Sequence, residues 1–286
     1  MMQACDVLDI IQTKNRQNPA WINRGLYRLL FNQTLHVLAY ERLKSKPGNM
    51  TRGTDGETLD GYSMATIDKQ IERLRTEQYQ PKPVRRVYIP KQKGVRPLGV
   101  PSPQDKLIQE CIRLILEAIY EPLFDPNSHG FRANRSCHTA VESLRYNWVG
   151  SKWVIKADIS HCFERIDHHR LLDILQEKIA DNRLINLIRK FLKAGYLENW
   201  QYHKTYSGTP QGSVISPILT NIYLDKLDHK LTQLCEQYSQ GRQRKKNSRY
   251  VALMKKRKEL LMLGERVPAI RESLKEKIRQ RRFADL

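Results

Sequence analysis

Between Asp105 and Tyr120, the residues Leu107, Ile108, Cys111, Ile112, Ile115 and Ile119 recur at intervals of one, three and four. That spacing is helical and draws one broad apolar face. A helix of this kind has to be covered by other elements, so the chain must build further layers around it. The 286 residues, 40% of them hydrophobic, can supply such a core in one large or two smaller domains.

Charge narrows the partners. A formal net charge of +20 far exceeds what solubility requires and favours a polyanion, most naturally nucleic acid, because each neutralised phosphate releases counterions. A membrane surface is the alternative, but no run of about 18 apolar residues is present to span a bilayer. The start, Met1-Met-Gln-Ala-Cys-Asp6, carries an early acid and no basic segment, unlike a signal peptide. Cys5, Cys111, Cys137, Cys162 and Cys235 are scattered without Cys-x-x-Cys spacing, which argues against disulfides and a zinc site.

Residues 1–45 carry an amphipathic helical pattern punctuated at Asn18-Pro19, and Ser63–Tyr79 returns to a helix. Between them, Lys46–Gly56 is a glycine-bearing loop with Lys44, Lys46 and Arg52 as basic candidates. Pro81–Pro90 reads as a strand, Lys91-Gln-Lys-Gly94 as a basic turn and Val95–Pro101 as the returning segment, a hairpin tipped with Lys91, Lys93 and Arg96. Ser128–Ser136 is a polar loop carrying Arg132 and Arg135 around Phe131. His168–Ala180 and Asn182–Ala194 read as two helices, with Gly195 as a stop. Gly208-Thr-Pro-Gln-Gly-Ser213 is a tight turn, followed by Ser216-Pro217 as cap and first residue of a helix.

The stretch Trp153–Phe163 is the candidate for chemistry. Trp153, Val154, Ile155 and Ile159 make it a strand, and alternation puts Val154, Lys156 and Asp158 on one side. A carboxylate at the end of a buried apolar strand needs a compensating charge. A salt bridge to Lys156, a helix cap and a metal ligand all satisfy that need.

The tail is basic. From Arg242 to Arg282 there are 16 Lys or Arg against 4 Glu, a net +12 of the total +20. A solvated helical pair would carry such charge, and so would a surface for RNA contacted through Lys255, Lys256, Arg257 and Lys258.

Together these pieces resemble the reverse transcriptase region of group II intron-encoded proteins, the maturases. The resemblance rests on "TRGTDGETLDGYS", "RRVYIPK", "RPLGVPSPQDKLIQ", "LEAIYEPLF" with "SHGFRANRSCHTA", "WVIKADISHCFERIDH" and "GTPQGSVISPILTNIYLDKLD", in the family's order. The basic stretch after the last segment is similar to an insertion of the mitochondrial-like branch. The resemblance implies an α+β fold: the fingers and partial palm of a right-hand polymerase, helix-rich with a small antiparallel sheet. It implies an N-terminal extension and start of the fingers over 1–80, fingers over 81–150, partial palm over 151–240 and a basic helical insertion over 241–286.

It also implies site residues. Asp158 matches the aspartate that binds two Mg2+ ions, with Ile159 lending its backbone carbonyl; hard cations take oxygen ligands. Phe163 matches the residue that screens out ribonucleotides, and Gln211 the one beside the incoming nucleotide. Lys91 and Arg96 match basic finger residues that hold the triphosphate, while His161 and Cys162 offer backbone N–H groups to it. Lys46, Arg52, Arg132 and Arg135 would touch RNA backbone. The implied partners are intron RNA, an RNA template with a DNA primer, and deoxynucleoside triphosphates, in a bacterial cytoplasm or an organelle. Apolar surface left by an absent thumb would favour a homodimer.

The family's Tyr-Ala-Asp-Asp segment is absent, and Phe283-Ala-Asp-Leu286 mimics it without the second aspartate. The expectation is therefore a chain that does not polymerise by itself. The rival reading is a non-enzymatic RNA-binding splicing factor with a reverse transcriptase fold. A lineage such as a retron or diversity-generating element is disfavoured by the N-terminal block and the long insertion.

Overall fold

The computed structural model describes residues 3–92, 94–148, 153–210, 212–238, 247–262, 272–273 and 275–280. It divides into two compact units, residues 1–147 with 157–231, and residues 148–156 with 232–286.

The first unit is arranged around the helix that the apolar stripe announced. In chain order its elements begin with α1 (Ala4–Gln17), a 3-10 turn (Leu26–Phe31), α2 (Gln33–Lys44) and α3 (Met64–Arg75). Next come β1 (Val84–Pro90), β2 (Val95–Val100), α4 (Pro103–Tyr120) and α5 (Cys137–Asn147). A second 3-10 turn (Cys162–Glu164), α6 (His168–Gln176), α7 (Asn182–Leu192), β3 (Tyr196–Glu198) and β4 (Gln201–His203) follow, and α8 (Ser216–Tyr238) leads out of the unit.

Helix α4 starts where Ser102 accepts a hydrogen bond from the Asp105 N–H at 3.2 Å and Pro103 occupies the first position. It is buried nearly all round rather than on one face, with Leu107, Ile108, Cys111, Ile112, Ile115, Leu116 and Ile119 fully enclosed. Helices α1 and α2 pack on it. Such burial is tolerable only because every polar side chain on α4 that goes inside has a partner. Glu110 forms a bidentate pair with Arg113, both bonds 2.8 Å. Lys106 donates to the Thr51 carbonyl at 2.9 Å. Asp105 accepts from the Tyr79 hydroxyl, the Ser102 hydroxyl (2.8 Å) and the Lys82 N–H (3.0 Å). Burial, ahead of these bonds, pushes the Asp105 carboxyl up, and burial followed by the Asp105 charge pushes the Tyr79 phenol well up.

The core runs without interruption from Ala4 through α4 to Leu171, Ile188 and Ile222. Asp181 caps α7 by accepting from the Arg183 and Leu184 N–H groups, and its other oxygen takes the Tyr27 N–H at 2.9 Å. That bond ties the chain's first turn to its seventh helix.

The sheet has the order β2-β1-β3-β4. The β1–β2 hairpin is antiparallel from Arg85 opposite Val100 to Pro90 opposite Val95. Strand β3 adds parallel to β1, Val84 opposite Tyr196, and β4 pairs antiparallel with β3. The sheet is therefore mixed, its one parallel pairing being that between β1 and β3. Strands β3 and β4 carry three residues each, too short for alternation to announce them.

The expected strand over Trp153–Ile159 does not form, and Trp153 (86%), Ile155 (91%) and Asp158 are exposed. The physical reason is pairing. A strand's N–H and C=O groups need a neighbouring edge, and among the described residues none is laid beside this stretch. Asp158 is therefore not a buried carboxylate in need of compensation.

The second unit holds the end of α8 and α9 (Ser248–Met262), where the Asn247 side chain accepts from the Arg249 N–H at 2.8 Å. Lys255, Lys256 and Lys258 are exposed on α9 and Arg257 is half-buried. The Phe283–Leu286 sequence and Lys93 lie outside the described residues. No helix among the described residues is long and apolar enough to cross a membrane.

Candidate functional site

Asp158 leads into a tight backbone feature. His161, at φ 54°, opens the second 3-10 turn, and its carbonyl accepts from the Glu164 and Arg165 N–H groups at 3.0 Å each. Its ring Nδ1 lies 2.6 Å from the Glu164 carboxylate. Burial, followed by the charge of Asp158, raises the Cys162 thiol. Phe163 is half-buried and meets the exposed Phe131 ring edge-on, with centroids 6.3 Å apart.

The Gly208–Ser213 turn is fastened to that feature through backbone. Gly208 N–H donates to the Ile166 carbonyl and Thr209 N–H to the Phe163 carbonyl, both at 2.7 Å. The Ser207 hydroxyl donates to the Glu164 carbonyl at 3.1 Å, and His168 Nε2 sits 2.7 Å from the Gly208 carbonyl oxygen. Gly208 has φ 80°, and a Cβ there would stand 2.5 Å from the Glu164 carbonyl oxygen. Gly212 has φ 98°, and its Cβ would stand 2.6 Å from the Gly99 carbonyl oxygen of β2. Glycine is required at both places for conformation and for closeness. The turn thus bridges the Phe163–Ile166 backbone and the Leu98–Gly99 end of β2. Its far side is held by α4: the Gln109 side-chain oxygen accepts from the Ser213 hydroxyl (2.7 Å) and the Val214 N–H (2.9 Å). Ser216, expected as a cap, is the first residue of α8 and donates instead to the Pro210 carbonyl at 2.9 Å.

Gln211 lies outside the described residues. Lys91 and Arg96 stand exposed at the turn end of the β1–β2 hairpin, where Arg96 is opposite Ile89 and the Lys91 N–H donates to the Gly94 carbonyl at 3.0 Å. The exposed Lys46 and Arg52 sit on a loop that is itself well fastened. Arg85 donates twice to the Arg52 carbonyl, at 2.8 and 3.0 Å, and Lys82 pairs with Asp55 at 3.1 Å.

Arg132 departs from its expected role. Its side chain is 5% exposed, and its guanidinium donates to both Glu121 carboxylate oxygens and to the carbonyls of Asp125 (2.9 Å) and Ser128 (2.8 Å). With its donors spent inside the loop, Arg132 shapes the loop and has little left for a phosphate. Arg135 donates to the Pro126 carbonyl at 3.1 Å from a more open position.

Two functional features were not anticipated. Gln109 is a buried amide in a helix read only for its apolar stripe; it lies beside that stripe rather than on it, so the local pattern did not mark it. The Tyr196–His203 hairpin was hidden by its short strands, although Asn199 is a residue type that marks a turn.

Residues 89–251 match the model of the family described as "Reverse transcriptase (RNA-dependent DNA polymerase)". The chain belongs to the reverse transcriptase family. It is 49% identical over 230 residues to the group II intron-encoded protein LtrA of Lactococcus lactis subsp. cremoris, covering 80% of this chain and 38% of that protein. It is 47% identical over 234 residues to an uncharacterized 91 kDa protein in the cob intron of Schizosaccharomyces pombe, covering 81% and 29%. A putative COX1/OXI3 intron 1 protein of Saccharomyces cerevisiae is 40% identical over 268 residues, covering 93% and 32%. The chain thus spans about a third of the length of these relatives. The solved partial Cas6-RT-Cas1–Cas2 complex matches at a TM-score of 0.48 and 22% identity, over 73% of this chain and 35% of that one. The resemblance read from the motifs, to group II intron-encoded proteins, is the one these relatives bear out. Reverse transcriptases use a divalent metal, and among the described residues no group of three His, Cys, Asp or Glu is placed to hold one.

Proposed function

We propose that these residues are the fingers and part of the palm of a group II intron maturase, which copies RNA into DNA and binds its intron RNA for splicing and mobility. The observation that supports this most is the backbone union of the Cys162–Glu164 turn with Gly208–Thr209. It fixes the segment that carries Asp158 and Phe163 to the turn that carries Gln211. On this reading Phe163 screens the sugar of the incoming nucleotide and Gln211 sits beside its base. The His161 and Cys162 N–H groups, with Lys91 and Arg96, face the triphosphate.

The metal would be Mg2+, held by the Asp158 carboxylate and the Ile159 carbonyl. Further oxygen ligands would come from the family's Tyr-Ala-Asp-Asp segment, without which residues 1–286 are expected to extend no primer. When bound, the metal pair would steady the attacking and leaving oxygens. What this chain's residues contribute is the nucleotide's placement and the choice of sugar. Lys46, Arg52, Arg135 and the α9 cluster Lys255, Lys256, Arg257 and Lys258 would meet RNA phosphates, recognised through shape and backbone.

The test is RNA-templated primer extension by a chimaera in which an active family member supplies the Tyr-Ala-Asp-Asp segment. Asp158→Asn should lower the rate at least about 1,000-fold, the scale of losing a charge-stabilising group at the reacting centre. Extension that survives Asp158→Asn, or robust extension by residues 1–286 alone, would refute the assignment. No extension by the unsubstituted chimaera would make the RNA-binding splicing factor the better reading.

A further inference from the structure

The buried polar side chains of α4 divide by where their partners lie. Glu110 pairs with Arg113 of the same helix, Asp105 with Tyr79, Lys82 and Ser102 ahead of it, and Lys106 with the Thr51 carbonyl. Gln109 instead reaches across the fold. It is 3% exposed, between the fully enclosed Ile108 and Ile112. Its side-chain oxygen takes two donors from one short stretch, the Ser213 hydroxyl at 2.7 Å and the Val214 N–H at 2.9 Å. An amide in a core costs free energy unless it is hydrogen-bonded, and a methionine of similar volume would fill the same space. What the amide adds is location: it fixes two groups of a distant segment against the most enclosed helix of the unit.

That segment is the exit of the Gly208–Ser213 turn. The entry is fastened by backbone, with the Gly208 and Thr209 N–H groups on the Ile166 and Phe163 carbonyls. Within the turn, the Ser213 N–H (3.1 Å) and the Ser216 hydroxyl (2.9 Å) both donate to the Pro210 carbonyl. Those bonds shape the turn without locating it. The closeness of Gly212 to the Gly99 carbonyl of β2 limits how far the turn can advance on that side. Gln109 ties the exit to the core. The seat of the turn beside Phe163 is therefore set at one end by backbone and at the other by a single replaceable side chain.

We propose that Gln109 is a positioning residue for the incoming deoxynucleotide, an inference that rests on the nucleotide pocket proposed above. Gln109 touches neither nucleotide nor metal. It acts through Ser213 and Val214, holding the turn at the distance from Phe163 at which the deoxynucleotide fits. Losing the acceptor leaves the Ser213 hydroxyl and the Val214 N–H unpaired in a buried place, and the exit of the turn shifts to find other partners. A small displacement of this kind, made far from the reacting atoms, weakens a site that depends on placement.

The test measures deoxynucleotide kinetics of the chimaera that carries the Tyr-Ala-Asp-Asp segment, on one RNA template and DNA primer, at a temperature where every variant is folded. Gln109→Met should raise the deoxynucleotide KM roughly three- to tenfold, the scale of one net hydrogen bond, and leave kcat at saturation within about twofold. Ser213→Ala should raise KM less, and adding it to Gln109→Met should change little more, because the two side chains act through one bond. Ile115→Ala, elsewhere on the same helix, is the control for lost stability and should leave KM unchanged. In the 286-residue chain itself, Gln109→Met should speed hydrogen exchange at the Val214 N–H. An unchanged KM or unchanged exchange in Gln109→Met would overturn the proposal. So would an equal rise of KM in Ile115→Ala, or additive effects of Gln109→Met and Ser213→Ala. Phe163→Val in the same assay separates the two failures. If it leaves the ratio of ribonucleotide to deoxynucleotide incorporation unchanged, the pocket itself is misassigned and the proposal falls with it; if it raises that ratio while Gln109→Met leaves KM untouched, the proposal alone fails.

Discussion

Helix α4 and the Trp153–Ile159 stretch are both strongly apolar, yet α4 is enclosed nearly all round while Trp153 and Ile155 face solvent. The difference lies in where each satisfies its backbone. A helix makes its hydrogen bonds within itself, so an apolar stripe is enough to drive it into a core. A strand borrows its bonds from a neighbour, and its apolar faces follow only when that neighbour is present. The two segments therefore differ in self-sufficiency, not in composition. The candidate catalytic aspartate belongs to the segment that depends on others.

Truncating each segment breaks the comparison most directly. Ile115→Ala in α4 should cost about 3–4 kcal/mol of unfolding free energy, the cavity-forming range for a fully enclosed side chain. Ile155→Ala should stay within about 0.5 kcal/mol, as surface changes do. Denaturant unfolding of the two variants measures both, and similar costs would mean that the stretch is packed after all.

The arginines of the Ser128–Ser136 loop sharpen the same contrast. Arg132→Ala removes a nearly buried guanidinium with bonds to Glu121 and two carbonyls, and should cost about 2–3 kcal/mol. Arg135→Ala should leave stability within about 0.5 kcal/mol and weaken RNA binding instead. If the two variants exchange these effects in unfolding and RNA titrations, the loop has been assigned the wrong way round.

A third expectation concerns pH. His36 is fully enclosed, with its Nε2 2.8 Å from the Leu30 carbonyl and its Nδ1 without a partner among the described residues. Burial holds its pKa below the usual 6.5, against the smaller opposing pull of the Leu30 carbonyl. The folded chain therefore binds this proton less readily than the unfolded chain. Stability is full above about pH 6.5 and falls as pH drops below it, by up to about 1.4 kcal/mol per unit, until the folded pKa is reached. His36→Gln should remove that component from a series of denaturant melts between pH 7.5 and 5. An unchanged slope would place the acid sensitivity elsewhere.

The smallest effect on stability belongs to the tail. Changing Lys255, Lys256, Arg257 and Lys258 to Ala should leave unfolding within about 0.5 kcal/mol but flatten the salt dependence of RNA binding by roughly 2–3 in log–log slope. An unchanged slope would make the tail a solvated face.

These contrasts explain what was legible beforehand. The stripe of α4 and the apolar patterns of Ser63–Tyr79 and Asn182–Ala194 act over a few residues, so local pattern revealed the helices. The β1–β2 hairpin was readable because its strands are six and seven residues long and its turn is marked by Gly94. The β3–β4 hairpin was not, since three residues carry no period. The exposure of Asp158 was also beyond reach, because it depends on which edges lie beside the stretch, a long-range property. The site itself was legible as motifs. That Gln109 of α4 clamps the Gly208–Ser213 turn follows from a buried amide whose partners lie more than a hundred residues away.

The central claim is that the Cys162–Glu164 turn and the Gly208–Ser213 turn together form a nucleotide pocket, with Phe163 against the sugar. The most direct measurement is the ratio of ribonucleotide to deoxynucleotide incorporation by the chimaera carrying the Tyr-Ala-Asp-Asp segment, with Phe163 or with Phe163→Val. Removing the ring should raise that ratio at least about tenfold, the discrimination that a steric pocket contributes against one added group. A ratio unchanged by Phe163→Val, with extension intact, would place the sugar elsewhere and contradict the account.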